Sequence, residues 1–239
     1  MAEVVPLMEA SIGYLLKGKL PPSAVLAPLL SKVLGYTILV FSCIVKVPQI
    51  LTLLRVKSAE GLSSFSFEME QIGLAIHTAY GFILGLPISA FGEAAVLLLQ
   101  NTVLLLLIYQ FSRAQLVRPL ALTSLFAVAG GYLLSGGITK DIITRAYDLN
   151  NVIFIVARVP QIIQNFKARS TGHLSMVTFV ANVAGCLIRI FTSIQEGGGI
   201  TMVRGFVIGL ALNLTILLQI LYYGRAKSSH KQAAKKKAN

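Results

Sequence analysis

Lys46-Val47-Pro48-Gln49-Ile50 and Arg158-Val159-Pro160-Gln161-Ile162 are near-copies of one another, 112 residues apart. Each leads, at the same distance, into a second matched block: Ser58 aligns with Ser170, and Leu62-Ser63 with Leu174-Ser175. The register continues without insertion, placing Gly73 on Gly185, Asn101 on Asn213 and His77 on the basic Arg189. Each copy puts a cation, a proline and a glutamine into an apolar stretch, where all three are costly. A costly feature that recurs in one register marks a duplicated unit.

The setting of these copies is lipid. Of 239 residues, 55% are hydrophobic and only 13% charged, and the mean hydropathy is +0.76. An ordinary soluble domain carries about 25% charged residues. The net charge of +12 therefore reads first as membrane topology. With no Trp and no basic stripe interleaved with exposed aromatics, no nucleic-acid role is expected. Cys43 and Cys186 hold unrelated repeat positions and read as small core residues. The N-terminal stretch, with Glu3 and Glu9, is not expected to be a secretory signal peptide.

A spanning helix needs roughly 20 mostly apolar residues. Seven stretches qualify, at about 33–54, 65–86, 94–111, 119–138, 146–166, 174–194 and 200–223. A short interfacial helix is expected near 4–16. The offset maps spans 1, 2 and 3 onto 5, 6 and 7, and leaves span 4 unpaired. An odd linker gives both copies the same orientation. The expected fold is an all-α membrane protein of seven transmembrane helices, arranged as two parallel three-helix bundles joined by one linker helix. The expected organisation is an N-terminal luminal segment over 1–30, repeat 1 over 31–112 and a linker with span 4 over 113–144. Repeat 2 then covers 145–224, and a basic cytosolic tail 225–239.

Charge orients this plan. With the C-terminus in the cytosol, twelve Lys and Arg residues fall on the cytosolic side and six on the other. The positive-inside rule prefers that arrangement, with a luminal N-terminus. Lys236 and Lys237 stand fourth and third from the end of the tail. That is the dilysine pattern of an endoplasmic-reticulum retrieval signal, an address read by coat machinery; a generic basic stop-transfer tail is the plainer alternative.

Pro48 and Pro160 are each expected to free a backbone carbonyl four residues back. With Gln49 and Gln161 they read as paired hinges, or as static kinks. Lys46 and Arg158 lie roughly 12 Å inside the membrane at 1.5 Å per residue, deep enough to line a site and shallow enough to snorkel. Spans 2 and 6 carry Glu70, Gly73, His77 and Asn182, Gly185, Arg189 at i, i+3, i+7, which places each trio on one helical face. Asn101 and Asn213 reach a similar depth from spans 3 and 7. Cations outnumber acids in this expected polar layer, and a buried excess of positive charge favours an anionic occupant. A hydrogen-bond network that only holds the bundle together is the alternative.

No set of residues suggests catalysis, a cofactor or a metal. Asn213-Leu214-Thr215 matches a glycosylation sequon but falls inside span 7. Gly197-Gly198-Gly199 lacks the Lys-Ser or Lys-Thr of a phosphate loop and reads as a turn.

Twin Pro-Gln blocks that each lead into a Ser-x-x-x-Leu-Ser turn resemble PQ-loop repeat proteins. That family includes sugar-exporting and lysosomal amino-acid transporters, and has the same plan of two three-helix bundles and a joining helix. Three further strings resemble the branch named for a defect in mannose-P-dolichol utilization: Lys57 to Ser63, Phe91-Gly92-Glu93-Ala94, and Arg189 to Glu196. The lysine-rich tail resembles the plant forms of that branch. The resemblance implies an endoplasmic-reticulum membrane protein needed for using dolichyl-phosphate mannose and glucose as donors. Those donors feed N-glycan precursor and glycosylphosphatidylinositol-anchor synthesis. It also implies the lipid bilayer, dolichyl-phosphate sugars and glycosyltransferases of that membrane as partners. A non-transporting adaptor and a carrier of small sugars or amino acids are the other readings.

Overall fold

A computed structural model describes residues 4–60, 62–112, 117–171 and 175–238, with no strand among the described residues. The elements in order are α1 (Val4–Leu16), α2 (Ser23–Val45), α3 (Val47–Val56), α4 (Ser64–Ile83), α5 (Ile88–Ser112), α6 (Val117–Leu134), α7 (Lys140–Ala168), α8 (Met176–Gln195) and α9 (Gly199–Ala238). Among the described residues, four stretches are long and apolar enough to cross a bilayer: Ser23–Val56, Ile88–Ser112, Met176–Gln195 and Gly199–Tyr223. The apolar part of α6, Pro119–Leu133, is shorter. Large apolar side chains such as Val40, Phe41, Leu99, Leu106, Phe166 and Ile200 are exposed. Such a surface suits hydrocarbon and not water.

The structure moves some expected boundaries. The first span begins at Ser23, ten residues before the apolar run was expected to start, and is interrupted at Lys46 between α2 and α3. A helix, α1, stands where the short interfacial helix was expected. The basic tail continues α9 as far as Ala238, so Lys236 and Lys237 lie on that helix. Asn239, Arg113 and Leu174 lie outside the described residues.

Two compact units emerge: Met1–Tyr147 with Thr192–Gly198, and Asp148–Phe191 with Gly199–Asn239. In the first, α5 contacts α2, α3 and α4. Its core gathers Leu53, Ala59, Leu104 and Ile108, with Ile50, Phe67 and Phe111 around them. In the second, α9 approaches α7 through Gly205 beside Asn151, and α8 through Gly209 beside Cys186. In each unit the third helix of the repeat therefore touches the other two. Exposed Asp148 pairs with Arg204 in the second unit.

The duplication is visible in local backbone. Helix α3 ends on left-handed Lys57 (φ 52°), and α7 on left-handed Arg169 (φ 46°), its repeat equivalent. Ser63 then caps α4, its hydroxyl accepting from the Ser66 N–H at 3.3 Å. Ser175 does the same for α8, accepting from the Thr178 N–H at 3.4 Å. A serine oxygen at such a position satisfies one of the orphan donors of a helix start. Each copy thus has a left-handed stop just before its Ser-x-x-x-Leu-Ser block and a capped start at the block's last serine.

Close helix approach in the first unit depends on Gly35. A Cβ there would sit 2.7 Å from the Ser89 carbonyl oxygen of α5. Gly35→Val is expected to separate α2 from α5 at a cost of about 1–3 kcal/mol. Thermal unfolding of the detergent-purified chain should show it as a lowered midpoint. Gly13→Ala, where a Cβ meets nothing within 4 Å, should not lower the midpoint.

Candidate functional site

The first unit builds a polar site around the break in its first span. Helix α2 stops at Val45, Lys46 adopts φ −96° and ψ −7°, and α3 restarts with Pro48 in its first turn. A proline there forfeits little, because the first N–H groups of a helix have no intrahelical partner. The break still strands backbone groups, and Gln100 of α5 collects them. Its amide donates to the Ser42 oxygen at 2.9 Å and the Cys43 oxygen at 3.0 Å, and its carbonyl accepts from the Lys46 N–H at 3.0 Å.

The Lys46 side chain points inward and is 7% exposed as a residue. Its ammonium donates to Glu70 Oε2 at 2.7 Å and to Asn101 Oδ1 at 2.9 Å, and lies 5.4 Å from the Phe67 ring centroid. Fully buried Asn101 is itself held, donating to the Phe67 oxygen and to Gln71 Oε1, each at 2.9 Å. Gln71 in turn donates to Thr102 at 2.7 Å. The Glu70 side chain remains 44% exposed. The pair is therefore closed on the Lys46 side and open on the Glu70 side. An anion or a sugar hydroxyl could reach it there, because a carboxylate has acceptor capacity left and Lys46 has used two of its three N–H groups.

Of the other expected site residues, His77 is not part of this cluster. It lies two helical turns further along α4, with its Nδ1 3.2 Å from the hydroxyl of Tyr147, which also stacks on Tyr80. In the second unit, Asn182 donates to Asn213 Oδ1 at 3.5 Å, and Asn213 donates to the Gly209 oxygen at 2.8 Å. Arg189 is 4% exposed on α8, and Arg158 lies over the Phe154 ring at 5.6 Å. A Cβ at Gly185 would meet nothing within 4 Å, so that glycine leaves open space instead of admitting a helix.

The two proline positions differ. Helix α7 runs unbroken through Pro160, with Gln161 in the same helix. Here the third helix reaches the first through Gln219, which donates to the Ile162 oxygen at 3.0 Å and accepts from Asn165 at 3.0 Å. Pro48 and Gln49 stand just past a genuine interruption; Pro160 and Gln161 do not.

A second polar cluster lies at the turn after α8. Glu196, whose side chain is 2% exposed, accepts from Ser31 at 3.1 Å and from Ser89 at 2.8 and 2.9 Å, with the Lys32 ammonium 3.9 Å away. Tyr80 donates to the Gly198 oxygen at 3.0 Å beside it. This explains why Thr192–Gly198 belongs with the first unit. Sequence reasoning passed over Glu196 because its partners lie more than a hundred residues away. It passed over Gln100 because the equivalent position is Leu212; the available signal was an amide pair, Gln100-Asn101, in an otherwise aliphatic run.

The family model described as PQ loop repeat matches residues 30–90 and 149–201, one match around each Pro-Gln block. The human protein named Solute carrier family 66 member 3 is 30% identical over 178 residues, which are 74% of this chain and 86% of that protein. The chain belongs to the PQ-loop repeat family. Within this PQ-loop protein the two repeats share their loop and cap chemistry, whereas the amide that secures the first helix sits at different heights in each.

Two predictions follow from the bonding. Asn101→Leu removes an acceptor from a buried ammonium and should lower stability by about 1–3 kcal/mol, read as a thermal shift in detergent. Glu196→Ala removes a buried carboxylate that accepts from Ser31 and Ser89 and lies 3.9 Å from the Lys32 ammonium, and should cost more, about 3–5 kcal/mol. Glu196→Gln, which keeps an acceptor for the serines, should cost less than the alanine change.

Proposed function

We propose that this chain is a seven-span protein of the endoplasmic-reticulum membrane that lets dolichyl-phosphate mannose and glucose serve as luminal sugar donors. It acts by moving or presenting the donor lipid, without catalysing a reaction. The observation that carries the reading is the Lys46–Glu70–Asn101 cluster: a buried cation in an apolar span, paired with a carboxylate that is 44% exposed. Such a pair matches a phosphodiester-linked sugar, with Lys46 meeting the phosphate and Glu70 and Asn101 meeting hydroxyls. In the second repeat, Arg158, Arg189, Asn182 and Asn213 are the cationic and polar groups that this reading assigns to donor contact. An intramembrane cation is costly, and a recurring anionic occupant gives it a reason to persist.

The choice of donor lipid over another cargo rests on the strings that resemble the mannose-P-dolichol utilization branch. The buried engagement of Glu196, at the end of the Arg189–Glu196 string, supports treating that string as more than chance. Lys236 and Lys237 support retrieval to the endoplasmic reticulum by coat machinery, and the basic tail supports a cytosolic C-terminus and a luminal N-terminus. Pro48 with Gln49 is read as a hinge in span 1, and Pro160 with Gln161 as a kink that yields less. Glycosyltransferases that consume the donor are the expected neighbours. The similarity to a human protein named as a solute carrier supports a second reading, a carrier of a small sugar or amino acid.

Purified chain in phosphatidylcholine vesicles, given a short-chain mannosyl-phosphoryl lipid, is expected to speed its movement across the bilayer. Lys46→Gln and Arg189→Gln should slow that movement about tenfold or more, as loss of one charged contact worth ~1.4 kcal/mol or more implies, while protein abundance stays normal. Unchanged movement together with restored luminal mannosylation in deficient cells would leave an adaptor and remove the transport reading. Uptake of free sugar or amino acid would instead establish the carrier. Loss of the protein itself in Arg189→Gln would assign that residue to holding the bundle together.

A further inference from the structure

Apart from the polar clusters, the first unit contains a cavity of 560 Å³ among α4, α5, α6 and the start of α7. Its walls include Ile76 and Ala79 of α4, Phe91 of α5, Phe126 and Gly130 of α6, and Ile143 of α7. The volume falls within the range of roughly 300–1,000 Å³ typical of ligand sites. Thr78 supplies the one polar side chain among the lining residues, and its hydroxyl already donates to the Leu74 oxygen at 2.8 Å. A buried water needs about 2–4 polar partners, and a space without them stays dry and takes apolar guests. The same shortage of partners rejects a free sugar or an amino acid, whose hydroxyls or charges would be left unpaired.

The rim fixes what can enter. Phe82, Leu125 and Ile142 line the cavity and are also about half exposed or more, at 63%, 53% and 49%. The cavity thus opens sideways, through apolar side chains, toward the medium that surrounds membrane-embedded helices. That medium is hydrocarbon. A Cβ added at Gly130 would meet nothing within 4 Å, so the wall is recessed at this point. At roughly 30 Å³ per methylene-sized group, by analogy with the share of one water in the liquid, the space holds about twenty chain carbons. That suits a stretch of hydrocarbon chain.

We infer that this cavity seats the first isoprene units of a single-chain polyprenyl phosphate. The inference rests on the proposed donor-lipid reading and names where the lipid's chain binds. One chain enters between α4 and α6, and its weight of apolar contact adds to whatever the polar cluster contributes. Burial of a chain is worth about 0.8 kcal/mol per CH₂ at full desolvation from water. Transfer from lipid gains far less, so the shape of the cavity must supply the selectivity.

The test uses the full chain in phosphatidylcholine vesicles and a prenyl phosphate of four isoprene units bearing a terminal diazirine. Photolabel is expected in peptides spanning residues 72–82, 125–133 and 138–146. It should be competed by unlabelled prenyl phosphate and not by an equal amount of added diacyl phospholipid. Gly130→Leu fills the recess with a residue that favours helix over glycine, so folding should survive; labelling should fall about tenfold. Ala79→Phe, from the opposite wall, should act alike. Labelling confined to other peptides, equal competition by phospholipid, or labelling unaffected by both fillings would overturn the seat. If transbilayer movement of the short-chain donor persists while the seat fails, the donor reading stands without it. If labelling holds but no sugar-donor activity is found, the seat stands and the donor reading falls.

Discussion

Backbone polar groups in hydrocarbon must find partners inside the protein, and the first repeat meets that demand at its weakest point through one side chain. Pro48 interrupts the first span, and Gln100 bonds both sides of the interruption, to the Ser42 and Cys43 carbonyls and to the Lys46 N–H. Without such an amide, the Ser42 and Cys43 carbonyls would lose this partner, each at a cost of kcal/mol order. The next residue along, Asn101, then fixes the Lys46 ammonium. Two successive amides on α5 thereby turn a helix defect into a positioned cation. Successive residues on a helix lie about 100° apart, so one faces the broken backbone and the other the interior.

The same constraint is met differently in the second repeat. There α7 absorbs Pro160 without a break, and Gln219 with Asn165 braces the helix further along. The repeats agree where their sequences agree: in the left-handed stops at Lys57 and Arg169, and in the serine caps at Ser63 and Ser175. They part where the third helices differ, Gln100 against Leu212. A duplicated proline therefore sits in two different backbone settings, an interrupted span and an unbroken helix.

Charge burial follows a parallel logic. An isolated ion at membrane depth is untenable, and the buried ionic groups described in the first unit come with partners: Lys46 with Glu70 and Asn101, Glu68 with Tyr109, Glu196 with Ser31, Ser89 and Lys32. The two clusters differ in access. Glu196 is closed off at 2% exposure and ties the turn after α8 to α2 and α5, whereas Glu70 is 44% exposed. Only the second kind can exchange a protein partner for a ligand. His77 joins neither, because its ring reaches Tyr147. A shared helical face does not guarantee a shared site.

By itself, the sequence determined that this is an all-helical membrane protein with an internal repeat, since apolar runs, a fixed 112-residue register and turn chemistry are all local and linear. It also placed Lys46, Glu70 and Asn101 at one depth, because depth along a spanning helix is a matter of counting residues. The tertiary structure decided which of those groups touch, that Pro48 and not Pro160 breaks its helix, and that Glu196 is a buried anchor. Each of these depends on partners far away in the chain, such as Gln100 at 54 residues from Lys46 and Ser31 at 165 from Glu196. Periodicity assigns a residue to a face of its own helix, but packing alone chooses what that face meets.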